Sequence, residues 1–128
     1  MTVEALTHLT FQHHRAGEAV ECYVRLVPGS RIESRRPAGD DGREIIAFTL
    51  AGRRFLAADS PPMHEWDFTP AVSVFLECDS PGQVDALVAG LGDGGVEFMP
   101  PGDYGFSPRF GWVRDRFGVS WQVGLPLT

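Results

Sequence analysis

Four histidines, His8, His13, His14 and His64, are the side chains of this sequence that exchange protons near neutral pH. His8 stands in the run Leu6-Thr7-His8-Leu9-Thr10-Phe11-Gln12, whose alternation reads as a strand. That alternation sends Thr10 and Gln12 to the same side as His8. An imidazole beside a carboxylate can abstract and return a proton next to a carbonyl without help from a metal. The acid best placed to partner His8 is Asp59, at the end of a later strand-like segment. The competing reading turns Asp59 outward, where it caps the following turn. His13 and His14 are adjacent, project to opposite sides of an extended chain and make no chelate; they read as a solvated turn beside Arg15.

Near the other end, Ser120 and Gln122 share one strand face and leave Trp121 to pack beneath a helix. Facing a common space, His8, Gln12, Ser120 and Gln122 would offer hydrogen bonds to a small polar ligand, or would satisfy one another and water. The aromatics Trp66, Phe68, Phe98, Tyr104, Phe106, Phe110 and Trp112 fall around the same region, and some of them must be core. Trp66, Phe106 and Trp112, in loop-like contexts, are candidates to stack on a flat or apolar ligand. The alternative makes them an intermolecular face.

Other chemistries are excluded by composition. The chain has no lysine, so Schiff-base chemistry, P-loop phosphate binding and a lysine general base are ruled out. Cys22 and Cys78 are far apart in sequence and in no metal-ligand spacing, which reads as two free buried thiols in a reducing compartment. A net charge of −6 argues against a nucleic-acid partner, because neutralising phosphates needs a basic face. Arg31, Arg35, Arg36, Arg43, Arg53 and Arg54 do cluster, but acids are interleaved with them, and they read as a solvated surface or as a patch for an anionic partner. No apolar run approaches the roughly 18 residues of a membrane span, and the N-terminus lacks the order of a signal peptide. The expectation is a cytoplasmic protein with no membrane contact.

These residues are positioned by elements that repeat. After the first strand, Ala16, Ala19, Val20, Tyr23, Val24 and Val27 recur at helical spacing until Pro28-Gly29. Strand-like pieces follow at about 30–36, 43–51 and 53–59. The second half replays this order: a strand near 71–78, Ser80-Pro81 as an N-cap and first turn, and a helical stripe of Val84, Leu87, Val88 and Leu91. Strands follow near 95–99, 110–114 and 118–124, with a long loop from Pro100 to Pro108. A shift of 64 places Phe11 on Phe75 and Val20 on Val84; further along a shift of 66 places Phe55 on Trp121. The fold class expected is α+β, one domain over 1–128 made of two βαβββ modules, about 5–60 and 70–125. Their curved sheets would form a cup with the helices outside, and a cleft of that kind is a usual small-molecule site.

Several stretches resemble a known family: Glu18-Ala19-Val20-Glu21-Cys22-Tyr23, Pro28-Gly29-Ser30-Arg31-Ile32, Phe55-Leu56-Ala57-Ala58-Asp59 and Val74-Phe75-Leu76-Glu77-Cys78-Asp79. The most specific run is Gly111-Trp112-Val113-Arg114-Asp115-Arg116-Phe117-Gly118-Val119-Ser120-Trp121-Gln122. Together they are similar to the PhnB-like branch of the vicinal-oxygen-chelate (glyoxalase/bleomycin-resistance) superfamily, and the resemblance implies a glyoxalase-like fold and a homodimer. Members of this branch are often labelled ubiquinone-pathway methyltransferases, yet the chain has no Gly-rich strand-to-helix turn for a methyl-donor nucleotide. The wider superfamily binds a divalent metal through four strand positions. His8 resembles the first of them, and Gln122 stands where metal-binding members usually carry Glu. The repeat puts the other two near Val72 (or Ala71) and Leu56, which cannot ligate. An imidazole and an amide fall short of the three or more ligands usual at a catalytic site. No metal is therefore expected; if one were present, His8 and Gln122 would hold it. Asp59 and His64 could add to them only if the loop at Ser60-Pro61-Pro62 folds inward.

The function expected is binding of a small molecule in an aromatic-lined cup without a cofactor. The rivals are a divalent-metal-dependent isomerase, lyase or dioxygenase; a metal-independent biosynthetic enzyme using His8, with Asp59, as acid and base; and a dimeric interaction module whose cup is filled by its own loops.

Overall fold

A strand that alternates Leu9 and Phe11 with His8, Thr10 and Gln12 must bury one face and show the other. The computed structural model, which describes residues 2–128, places it as β1 (Thr7–Gln12), followed by α1 (Ala16–Leu26), β2 (Arg31–Pro37), β3 (Glu44–Leu50) and β4 (Arg53–Ser60). These elements form one compact unit ending at Glu65. Its sheet has the order β1-β4-β3-β2, with β1 parallel to β4 and the other pairs antiparallel. Leu9, Phe11, Ile46, Phe48, Phe55 and Ala57 are buried on the face that α1 covers with Ala16, Ala19, Val20 and Tyr23. The helix stops where Val27 donates back to Tyr23 and Gly29 takes a left-handed φ of 72°. Ala51 and Gly52 are both left-handed, at φ 50° and 85°, which matches the β3–β4 hairpin turn to the twist of its strands.

Asp59 ties this unit together. Register pairs it with Phe11 on the helix side of the sheet, and it is buried. One carboxylate oxygen accepts the Ala16 N–H at 2.9 Å, and the other accepts the Glu44 N–H at 3.0 Å. Arg15 stands at the N-cap of α1 and makes no side-chain cap, so the acceptor comes from 43 residues downstream of Ala16. The carboxylate faces the core, not the next turn, and its two bonds join the start of α1, the start of β3 and the end of β4. On the same sheet face, Arg35 forms a two-pronged ion pair with Glu44 and a third bond to Glu21 of α1. The guanidinium beside Glu44 holds that carboxyl below its ordinary value of 4.5.

The second unit begins at Trp66 and repeats the plan as β5 (Ser73–Glu77), α2 (Pro81–Gly92), β6 (Val96–Gly102), β7 (Phe110–Arg114) and β8 (Ser120–Gly124). The order is β5-β8-β7-β6, again with the first and last strands parallel. Ser80 caps α2 by accepting from the Gln83 N–H, and Pro81 opens the helix, as expected. The helix lies close on β7: a Cβ at Gly111 would come within 2.7 Å of a Val88 methyl. A second buried carboxylate, Asp115, accepts the N–H groups of Phe117 and Val119 and the Trp121 indole N–H. The loop expected from Pro100 is shorter than the sequence suggests, because β6 continues through Pro100 and Pro101 to Gly102. It can do so because β6 is an edge strand whose register shifts twice, at Glu97/Met99 and Met99/Gly102.

Asp59→Ala leaves the buried Ala16 N–H and the part-buried Glu44 N–H without their acceptor and is expected to lower stability by about 2–3 kcal/mol, read by urea denaturation. Asp59→Asn, which keeps one oxygen in place, should lose less. Glu44 has a depressed carboxyl pKa, so its contribution is present above the ordinary value and disappears as pH falls through the lower folded value. Thermal melts taken from about pH 6 down to about pH 3 should therefore lose less for Glu44→Gln than for the natural chain.

Candidate functional site

Each sheet leaves the face opposite its helix open, and strand register decides which polar side chains emerge there. In the first unit His8 pairs with Leu56, Thr10 with Ala58 and Gln12 with Ser60, all on the open face. His8 is exposed, and its Nδ1 lies 3.3 Å from the Thr10 hydroxyl. The segment after Ser60 folds back over this end: Gln12 Oε1 accepts the His64 N–H at 3.1 Å, and His64 Nε2 lies 2.9 Å from Ser60 Oγ. This segment thus brings His64 to Gln12 and Ser60. It does not bring Asp59. Asp59 leaves the sheet on the other face, where both of its oxygens hold backbone N–H groups, so the structure does not pair His8 with Asp59. A proton relay between them is corrected on that ground. His13 and His14 stand in the turn before α1 with left-handed backbones, and His14 Nε2 lies 2.9 Å from the Asp41 carbonyl oxygen.

In the second unit the open face carries a linked polar cluster. Ser73 pairs in register with Ser120, and their hydroxyls are 2.6 Å apart. Trp112 donates its indole N–H to Ser120 Oγ at 2.8 Å, and Gln122 donates an amide N–H to Ser73 Oγ at 3.2 Å. Trp121 lies on the opposite face, fully buried, with its N–H on Asp115. Ser120 and Gln122 therefore do share a face. The Gln122 amide oxygen makes no hydrogen bond among the described residues.

Aromatic rings flank this cluster. Phe98 meets Trp112 edge-on at 5.2 Å between centroids. Phe110 contacts Phe75 at 6.2 Å and Phe106 at 4.9 Å, and Phe106 stacks on Tyr104. Phe75, Phe98, Tyr104 and Phe106 each keep about 40 % of their surface exposed. Phe106 joins the cluster through Phe110, while Trp66, 55 % exposed, stands in the loop ahead of β5. Sequence reasoning missed Ser73 and Phe75. Only the parallel pairing in the structure supplies the phase: His8 pairs with Leu56, so the residue pairing with Gln122 is the equivalent of His8, and that residue is Phe75. The shift for this strand is thus 67, not 64, and the position placed near Val72 or Ala71 moves to Phe75.

Each register pair then holds one polar and one hydrocarbon side chain, His8 with Leu56 and Gln122 with Phe75. Among the described residues no group of three or more His, Cys, Asp or Glu side chains is arranged to hold a metal ion. Neither pair by itself, a lone imidazole beside a hydrocarbon or a lone neutral amide beside a hydrocarbon, matches the donor set of a divalent centre.

The family described as 3-demethylubiquinone-9 3-methyltransferase matches residues 3–124. A solved PhnB protein from Bacillus cereus is 36 % identical, with a TM-score of 0.89 over 96 % of this chain and 99 % of that one. The chain belongs to this family, within the vicinal-oxygen-chelate superfamily. A solved protein from Pseudomonas aeruginosa is 25 % identical, with a TM-score of 0.84 over 98 % of each chain. A glyoxylase/bleomycin resistance protein/dioxygenase domain from Frankia shares the fold at 13 % identity, with a TM-score of 0.68 over 98 % of this chain and 99 % of that one. No curated protein matches the chain.

Ser120→Ala removes the acceptor of the Trp112 N–H and the partner of Ser73. The expected cost is about 1–2 kcal/mol by urea denaturation, with a change in tryptophan emission. Trp112→Phe should cost about as much.

Proposed function

We propose that this chain binds a small, flat, largely apolar molecule on the open face of its second sheet, without a cofactor. The observation that carries this reading is the Ser73–Ser120–Trp112–Gln122 cluster set among half-exposed aromatic rings. Small-molecule sites have this make-up: mostly apolar walls with a few fixed polar groups that orient the ligand. Here the hydroxyl and indole bonds fix the cluster before a ligand arrives, and the Gln122 amide oxygen is placed to accept from a ligand O–H or N–H. The rings present π-faces and edges to a planar body. The metal-free part of the reading rests on the donors within each unit, a single imidazole paired with Leu56 in the first and a single amide paired with Phe75 in the second.

The methyltransferase in the family description is not the reading favoured here. The two strand-to-helix connections, His13-His14-Arg15 and Cys78-Asp79-Ser80, contain no glycine, whereas a nucleotide approaching a helix N-terminus needs that close access. Nor does an enzyme built on His8 and Asp59 follow, since the two side chains lie on opposite faces.

The test is titration with 2-naphthol, followed by tryptophan emission and by the thermal midpoint. Saturable binding that raises the midpoint and weakens about tenfold in Gln122→Ala is the expected outcome. Binding that survives both Gln122→Ala and Trp112→Phe, or no saturable binding, would overturn the site. About one metal ion per purified chain, lost on His8→Ala, would overturn the metal-free part.

A further inference from the structure

Eight of the eleven arginines precede Trp66, and the structure sorts the cluster that the sequence leaves as one patch. Arg35 is held by Glu44 and Glu21, Arg43 by Asp41, and Arg54 by Glu4 near the N-terminus. Arg31, Arg36 and Arg53 make no ion pair among the described residues. Arg53 pairs in register with the buried Leu50 and so lies on the helix side of its sheet.

Arg31 and Arg36 are five residues apart, and plain alternation would send them to opposite faces. A bulge between Ile32 and Ser34 changes the phase: Arg31 pairs with Thr49, Ser34 with Ala47 and Arg36 with Ile45, all on the open face. Bulges re-aim side chains in this way and are common beside binding sites. Four residue steps of β3, roughly 13 Å at the Cα atoms, separate the two arginines, with the Ser34 hydroxyl between them. Across the sheet lies a strip of Ile45, Ala47, Leu56 and Ala58, apolar yet only half-buried, and beyond it His8 and Thr10. Two unpaired guanidiniums on one face of a chain with net charge −6 are complementary to an anion, and the strip beside them is complementary to its hydrocarbon part.

We propose that the open face of the first sheet binds a small soluble organic anion, a carboxylate or phosphate on an apolar body. Arg31 and Arg36 grip the charged group from two sides, Ser34 adds a hydroxyl, and the strip from Ile45 to Leu56 seats the hydrocarbon. This face belongs to a different sheet from the aromatic cluster, and its test stands or falls independently of that reading.

The experiment is a titration of isotope-labelled protein with phenyl phosphate and with benzoate at low salt, followed by amide chemical shifts. Saturable shifts along β2 and β3 with a Kd at or below ~1 mM for at least one probe are expected, with inorganic phosphate and benzyl alcohol each binding more weakly. Arg31→Gln and Arg36→Gln should each raise that Kd about tenfold, because the bulge puts both on one face, while Arg53→Gln should change it by less than about twofold. The absence of saturable binding by either probe, or a Kd unmoved by either open-face variant, would overturn the proposal. So would two other occupants: a single-stranded DNA oligonucleotide that binds this face more tightly than phenyl phosphate, or a dimer in solution that is lost when both arginines are replaced. Thermal melts of each variant confirm that it is folded.

Discussion

Parallel strands cannot be joined by a tight turn, and each unit of this protein pairs its first strand in parallel with its last. The chain must leave β1, cross one face as α1 and return through β2 and β3 before β4 can dock beside its starting strand; β5 to β8 do the same around α2. That pairing fixes everything downstream. It determines which face is covered by a helix, which side chains stand in register across 47 or 48 residues, and which are left on the open face. His8 beside Leu56 and Gln122 beside Phe75 are consequences of register.

Polar groups are handled differently on the two faces. On the covered side, Asp59 and Asp115 are buried carboxylates whose oxygens are taken up by backbone and indole N–H groups, and no buried side-chain polar atom lacks a partner among the described residues. They act as joints within the fold, one bridging helix and strands, the other closing the turn before β8. On the open side the polar groups bond to one another in short chains, in which Ser120 is buried and the other members are half-buried. Ser73, Ser120, Trp112 and Gln122 form one such chain, and Gln12, Ser60 and His64 form another.

The edges carry a third constraint. β2 and β6 are outer strands, and unpaired strand edges invite association unless charge, proline or a bulge blunts them. β2 carries three arginines and a bulge, and β6 carries two adjacent prolines with shifting register. The bulge in β2 does more than blunt an edge, since it brings Arg31 and Arg36 onto one face.

The order and type of the elements were legible in the amino-acid sequence, because they depend on local signals. Alternation in 6–12, the helical stripe ending at Pro28-Gly29, the Ser80-Pro81 start and the Ala51-Gly52 turn all report backbone preferences of adjacent residues. The shared face of Ser120 and Gln122 was legible for the same reason. What only the tertiary structure decided is which distant residues meet. Asp59 went to the helix side with Phe11, Ser73 met Ser120, His64 met Ser60 and Gln12, and a single bulged residue re-aimed an arginine. A strand's side-chain period is two, so an error of one residue in register, or one unseen bulge, reverses every facing that follows from it. Local sequence fixes the period, and only the pairing of strands far apart in the chain sets its phase.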